Sequence, residues 1–154
     1  MVLKLLDIVH PCTAYFGQKD AQQLAIVRRV VADFNLPVAI VGVPTVREAD
    51  GLAISSRNSH LSPAERTLAP SLYKALREAC AQIAAGVEDV ETIKSAASRL
   101  VSNDAAVRLE DLEIVDPDDM QPVQRMTGAV CVAAAMWVGS TRLIDNVLCE
   151  SRRS

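Results

Sequence analysis

Two short segments carry the side chains that could do chemistry on an anion: Gly17-Gln18-Lys19-Asp20 and Ser55-Ser56-Arg57-Asn58. Serine hydroxyls donate to phosphate oxygens, and the planar arginine guanidinium grips two such oxygens at once. Lys19 brings a full positive charge beside what reads as a helix start, where free backbone N–H groups favour anions. Each segment also has a plainer reading. Asp20 and Gln23 form a D-x-x-Q capping pair that would leave Lys19 a solvated surface charge. The Ser-Ser-Arg-Asn run could be an ordinary polar linker. The sequence contains neither a P-loop G-x-x-x-x-G-K-[ST] nor a G-x-G-x-x-G fingerprint. His10 and His60 are the only histidines, one before a proline and one after the polar run, so a histidine triad or metal cluster is not expected.

The elements that must position these residues follow from periodicity and punctuation. Val2, Leu5, Leu6 and Val9 share a helical face, which predicts a helix over 2–9 that Pro11 ends. T-A-Y-F-G (13–17) reads as a short strand, and Asp20 caps a helix with apolar positions Leu24, Val27, Val31 and Phe34. P-V-A-I-V-G-V (37–43) is a continuous apolar run of the kind parallel strands show. Together these make one βαβ unit. Both polar segments then follow its strands and open on one edge of the sheet, where α/β folds bind ligands. Lys19 from one and Ser-Ser-Arg from the other could converge on one polyphosphate.

Downstream, Ser62, Pro63 and Glu65 mark a helix start that should run to Gly86, with Pro70 breaking it early. A further helix fits roughly 89–102. Three strands at 109–116, 128–138 and 141–149 predict an antiparallel meander whose last connection is a tight hairpin. The expected division is a βαβ piece over 1–45, a loop and linker over 46–61, and a small α+β domain over 62–154. A two-stranded parallel sheet with one crossover helix leaves strand edges and one face uncovered.

Composition narrows the class. Half of the 154 residues are hydrophobic and 23% charged, which describes a globular chain; with so few aromatics, its core must be aliphatic. A net charge of −3 excludes a general nucleic-acid surface, so any phosphate site must be local. Cys12, Cys80, Cys131 and Cys149 show no zinc spacing and read as buried, reduced thiols of a cytoplasmic protein. The opening M-V-L-K-L-L-D-I-V-H is short and charged, neither a signal peptide nor a membrane span.

Three motifs in order resemble one family. F-G-Q-K-D-x-Q-Q-L, V-G-V-P-T-V-R-E-x-D-G-L-A-x-S-S-R-N-x-x-L and T-R-L-I-D-N are similar to the C-terminal half of the pantoate–β-alanine ligases. The resemblance covers essentially the whole chain. It implies an α/β fold: an incomplete Rossmann-like βαβ fragment followed by helices on a three-stranded antiparallel sheet that acts as a lid. It also implies an ATP- and Mg²⁺-dependent ligase that joins pantoate to β-alanine through a pantoyl adenylate. By motif, Gly17, Gln18, Lys19 and Asp20 would line the ATP site, with Lys19 on the phosphates, and Gln23 would hydrogen-bond pantoate. Val46 would meet the adenine through its backbone. Ile54, Ser55, Ser56 and Arg57 would form a mobile phosphate-binding loop, and Lys19, Ser55, Ser56 and Arg57 would be the catalytic set.

The family's P-T-M-G-x-L-H-x-G-H segment has no counterpart in this sequence. The expectation is therefore a chain that needs an N-terminal half and is inactive alone, from a family of homodimers when full-length. A non-catalytic nucleotide-binding or assembly module derived from the same fold is the alternative.

Overall fold

A computed structural model describes residues 1–126 and 128–150 of the chain; the last four residues of the expected 62–154 domain, and Thr127, lie outside them. The chain begins with helix α1 (Val2–Val9), strand β1 (Thr13–Gly17), helix α2 (Ala21–Asp33) and strand β2 (Ala39–Val43). β1 and β2 pair in parallel, Thr13 opposite Ala39 and Gly17 opposite Val43. β2 starts two residues later than its apolar run because Pro37 has no N–H and the Val38 N–H is turned to the Leu36 carbonyl. The sheet is thinly covered. Leu24, Ala25 and Val27 of α2 are buried, but Tyr15, Val41 and Val43 are exposed.

A 3₁₀ helix (Ser56–His60) leads into α3 (Pro63–Leu68), α4 (Ser71–Ala84) and α5 (Val90–Ser98). The Ser62–Glu65 capping box forms in both directions, and the helix breaks at Pro70 as the sequence requires. α5 ends earlier than expected, since the Leu100 and Val101 N–H groups turn to carbonyls three residues back, at Ala97 and Ser98. Strands β3 (Val107–Val115), β4 (Ala129–Val138) and β5 (Thr141–Glu150) form the antiparallel meander in the order β3-β4-β5. A β-bulge between Leu109 and Asp111 lets Glu110 accept from Trp137 Nε1 and from Arg142.

The core lies between this sheet and α4 and α5. Leu72, Leu76, Ile83, Ile93, Ile114, Val130, Val132, Met136 and Val138 are fully buried there. One expectation fails here. Cys80 of α4 and Cys149 of β5, 69 residues apart, are disulfide-bonded, with Cα atoms 5.5 Å apart. Packing of α4 on β5 brings them together, which no linear spacing reveals. Cys12 is exposed rather than buried; Cys131 is the buried thiol, and burial pushes its pKa up to about 11. Among the described residues, no helix is long and apolar enough to cross a membrane.

Candidate phosphate-binding site

The chain leaves β1 at Gly17 and turns into α2. The Gln18 N–H donates to the Val43 carbonyl (2.8 Å), which ties this turn to the end of β2. Asp20 caps α2 by accepting from the Gln23 N–H at 3.1 Å. The capping reading of Asp20 is therefore correct. It does not remove Lys19 from the site, because the cap uses the Asp20 and Gln23 groups alone.

After β2, the segment from Arg47 to Ala53 folds back on itself. Arg47 and Ala53 form an antiparallel bridge, the Glu48 N–H donates to the Leu52 carbonyl, and the Ile54 N–H donates to the Val46 carbonyl. Gly51 adopts φ +94°, and a Cβ there would collide with the ring of Tyr73. Arg66 on α3 holds both Asp50 (2.6 Å) and Glu48 (2.8 Å). The chain then enters the 3₁₀ helix, where Ser55 Oγ accepts from the Arg57 N–H (3.3 Å) and the Asn58 side-chain amide donates to the Ala53 carbonyl (3.1 Å). The polar quartet is thus a capped, hydrogen-bonded turn.

The two segments meet. Lys19, Ser55 and Arg57 line one small cavity of about 10 Å³ with Asn58, Tyr73 and Asp145. That cavity adjoins an open cleft of about 460 Å³ that Lys19, Asp20, Arg57 and Asn146 share with the face of the meander. Burial, more than any other factor, lowers the Lys19 pKa below lysine's ordinary value; the Arg57 charge lowers it further, and the Asp145 carboxylate opposes both. Arg142, the other cation lining this cavity and cleft, is paired with Glu110, and the neighbouring Arg47 and Arg66 are paired with Asp145 and with Glu48 and Asp50. Among the described residues Lys19 and Arg57 have no ion-pair partner.

The remaining expected site residues are placed unevenly around this cavity. Gln23 lines a separate groove between α1 and α2, together with Met1, Val2, Ile26 and Val30. Asp20 borders both that groove and the cleft. Gly17 is exposed with open space where a Cβ would stand. The Val46 and Ile54 side chains are exposed and lie outside the Lys19 cavity. Ser56 opens the 3₁₀ helix, and its carbonyl accepts from Ser59 Oγ at 2.7 Å.

Three residues with no assigned role stand at the centre of the site: Arg47, Asp145 and Asn146. Arg47 grips Asp145 with two nitrogens, at 2.6 and 3.0 Å. Asn146 Nδ2 donates to the carbonyls of both Gln18 and Lys19, each at 2.9 Å. T-R-L-I-D-N is legible as a motif, yet an Asp-Asn pair inside a strand gives no sign of what it faces. The one available signal is two polar residues in a run otherwise fit for burial.

Fold and site together describe an α/β protein in which two cations, Lys19 and Arg57, meet beyond the carboxyl ends of a parallel strand pair, beside a three-stranded antiparallel sheet packed on helices. The model of the family described as pantoate-beta-alanine ligase matches residues 1–148, and the chain belongs to that family. It is 49% identical over 153 residues to a bifunctional pantoate ligase/cytidylate kinase of Synechococcus elongatus, covering 99% of this chain and 29% of that protein. The structure of pantothenate synthetase from Thermus thermophilus superimposes with a TM-score of 0.89 at 42% identity, over 95% of this chain and 52% of that one. A Francisella tularensis pantoate-beta-alanine ligase complexed with beta-gamma ATP and beta-alanine gives a TM-score of 0.65 at 28% identity, over 96% of this chain and 47% of that one. The chain thus spans under a third of the bifunctional relative and about half of the two solved enzymes.

Proposed function

We propose that this chain supplies the phosphate-gripping part of an ATP-dependent ligase that condenses pantoate with β-alanine by way of a pantoyl adenylate. One observation carries the reading. Lys19 and Arg57, the two cations lining the cavity and its cleft without an ion-pair partner among the described residues, converge with Ser55 on the small cavity and with Asp20 on the cleft. Two like charges brought together, with Lys19 partly desolvated, repel each other in the free chain. A polyanion relieves that cost, so the arrangement suits triphosphate or pyrophosphate.

The residue types fit the chemistry. Pantoate carries its own carboxylate nucleophile, so adenylate formation needs no protein base. It needs positioning and stabilisation of charge on the α-phosphate and on the departing pyrophosphate. Lys19 and Arg57 act there as fixed donors, and Ser55 as a neutral one. Gln23, in the groove that meets the cleft at Asp20, is assigned to pantoate. Attack of the β-alanine amine on the mixed anhydride is again a matter of orientation.

Among the described residues no three His, Cys, Asp or Glu side chains gather as a metal site. A Mg²⁺ that arrives on substrate phosphates keeps its waters and needs only one or two protein carboxylates. Asp20, which borders the cleft with Lys19, would be one carboxylate to hold it, and the ion would supply neutralisation of phosphate charge. Catalysis that rests on positioning requires a complete site. The rest of the ligase, beyond the part this chain shares with its relatives, is therefore assigned a necessary role, and the chain by itself is expected to be inactive.

Isothermal titration of MgATP into the chain tests the reading. Saturable binding that weakens about tenfold or more in Lys19→Ala and in Arg57→Ala is expected. Binding indifferent to both substitutions would return Lys19 and Arg57 to capping and linker roles. Saturable binding that never leads to adenylate, even with the remainder of a relative's ligase supplied, would mark a non-catalytic nucleotide module.

A further inference from the structure

Arg47, Asp145 and Asn146 have no part in the reading above, yet they join β5 to the turn that carries Lys19 across 127 and 128 residues of sequence. We infer that Asn146, seated by the Arg47–Asp145 pair, is a positioning residue that fixes the backbone of Lys19 for phosphate. This rests on the proposed role of Lys19 and adds to it.

The geometry is specific. The Gln18 carbonyl belongs to the peptide plane before the Lys19 Cα, and the Lys19 carbonyl to the plane after it. Peptide units are planar, so the orientations of these two planes set φ and ψ of Lys19. The single Asn146 carboxamide spans both, donating to each carbonyl at 2.9 Å. Both partners are acceptors only, which identifies the carboxamide atom facing them as nitrogen. The Gln18 N–H, bound to the Val43 carbonyl, anchors the preceding peptide plane, that of Gly17 and Gln18.

Asn146 is itself held. It is buried; its N–H donates to Asp145 Oδ1 (2.8 Å) and its carbonyl accepts from Arg47 Nη2 (3.2 Å). Arg47 also donates to the Gly51 carbonyl (3.1 Å) and lies over the Tyr73 ring at 3.9 Å. Both Asp145 oxygens are engaged by Arg47, although this carboxylate lies close enough to act on the Lys19 charge. The pair therefore does two things. It seats Asn146, and it commits the Asp145 carboxylate to Arg47, which leaves the Lys19 ammonium available to an incoming anion.

A double-mutant cycle separates positioning from general support. Inorganic triphosphate is titrated calorimetrically into the chain, as wild type, Lys19→Ala, Asn146→Ala and the double variant, with thermal unfolding recorded in parallel. Asn146→Ala should weaken binding about tenfold, the scale of one or two lost hydrogen bonds. In the Lys19→Ala background the same change should weaken it less than about twofold, because Asn146 acts through Lys19. Asn146→Asp, equal in size but presenting acceptors to two carbonyls, should bind no better than Asn146→Ala. If Asn146→Ala does not fold, Asn146→Ser, which keeps one donor, carries the same cycle. Losses that multiply in the double variant, or wild-type affinity in Asn146→Ala, would overturn the inference alone. Absence of triphosphate binding by wild type, or a neutral Lys19→Ala, would overturn the phosphate reading and the inference with it.

Discussion

The two sheets of this chain could hardly differ more in how they are supported. Both faces of the β1–β2 pair cannot be covered by α2 alone, and Tyr15 remains 70% exposed. In the meander, Val132, Met136 and Val138 are wholly buried against α4 and α5. Yet the Lys19 turn belongs to the thin sheet and Arg57 to the connection between the two. Lys19 is presented by the weakly packed sheet, and its turn is held by Asn146 of the well-packed one, itself seated by the Arg47–Asp145 pair. A site can thus borrow rigidity from an element that contributes no ligand of its own.

Substitutions test that contrast, and the largest effect belongs to the thick core. Leu76→Ala, at a fully buried α4 position, should cost about 2–5 kcal/mol in denaturant unfolding. Tyr15→Ser on the open sheet face should stay within about 0.5 kcal/mol; equal losses at both positions would erase the distinction. Next come the cations. In an assembled ligase, Lys19→Ala and Arg57→Ala should each slow adenylate formation about 10²–10³-fold in single-turnover measurements, as for other lost donors to developing charge. Gln23→Ala should instead raise the KM for pantoate, because a neutral hydrogen bond holds substrate in ground and transition states alike.

A smaller effect concerns pH. Burial lowers the Lys19 pKa in the folded chain, so its charged form is disfavoured there relative to the unfolded state. That cost is carried below the folded pKa and relieved as pH rises through it. Triphosphate affinity should accordingly fall with rising pH, at a value below lysine's ordinary 10.5. Lys19→Met should remove the pH-dependent loss, bind triphosphate poorly at every pH, and stabilise the free chain at neutral pH. A Lys19→Met variant no more stable than wild type would show that the charge is better solvated than its surroundings suggest. The smallest test is proteolytic. Arg57 is exposed on the 3₁₀ turn whereas the Arg47 side chain is 17% exposed and paired, so brief trypsin treatment should cut after Arg57 first. Early cleavage after Arg47 would contradict its grip on Asp145.

Much of this architecture is local and was legible as such. Ser62 and Glu65 announce their capping box, Pro70 must interrupt a helix, and Asp20 caps α2, because each depends on neighbours within one turn. The meander follows from three alternating or apolar runs separated by turns, and the two candidate segments around Lys19 and Arg57 stand out by residue type and by their places after strands. What the chain alone could not disclose are pairings between residues far apart. The Cys80–Cys149 bond exists because α4 lies on β5, and the Asn146 contacts exist because β5 passes beneath the Lys19 turn. Hydrophobic period and capping chemistry record only whether a residue faces inward or ends an element; which distant partner it meets there is decided by how the elements pack.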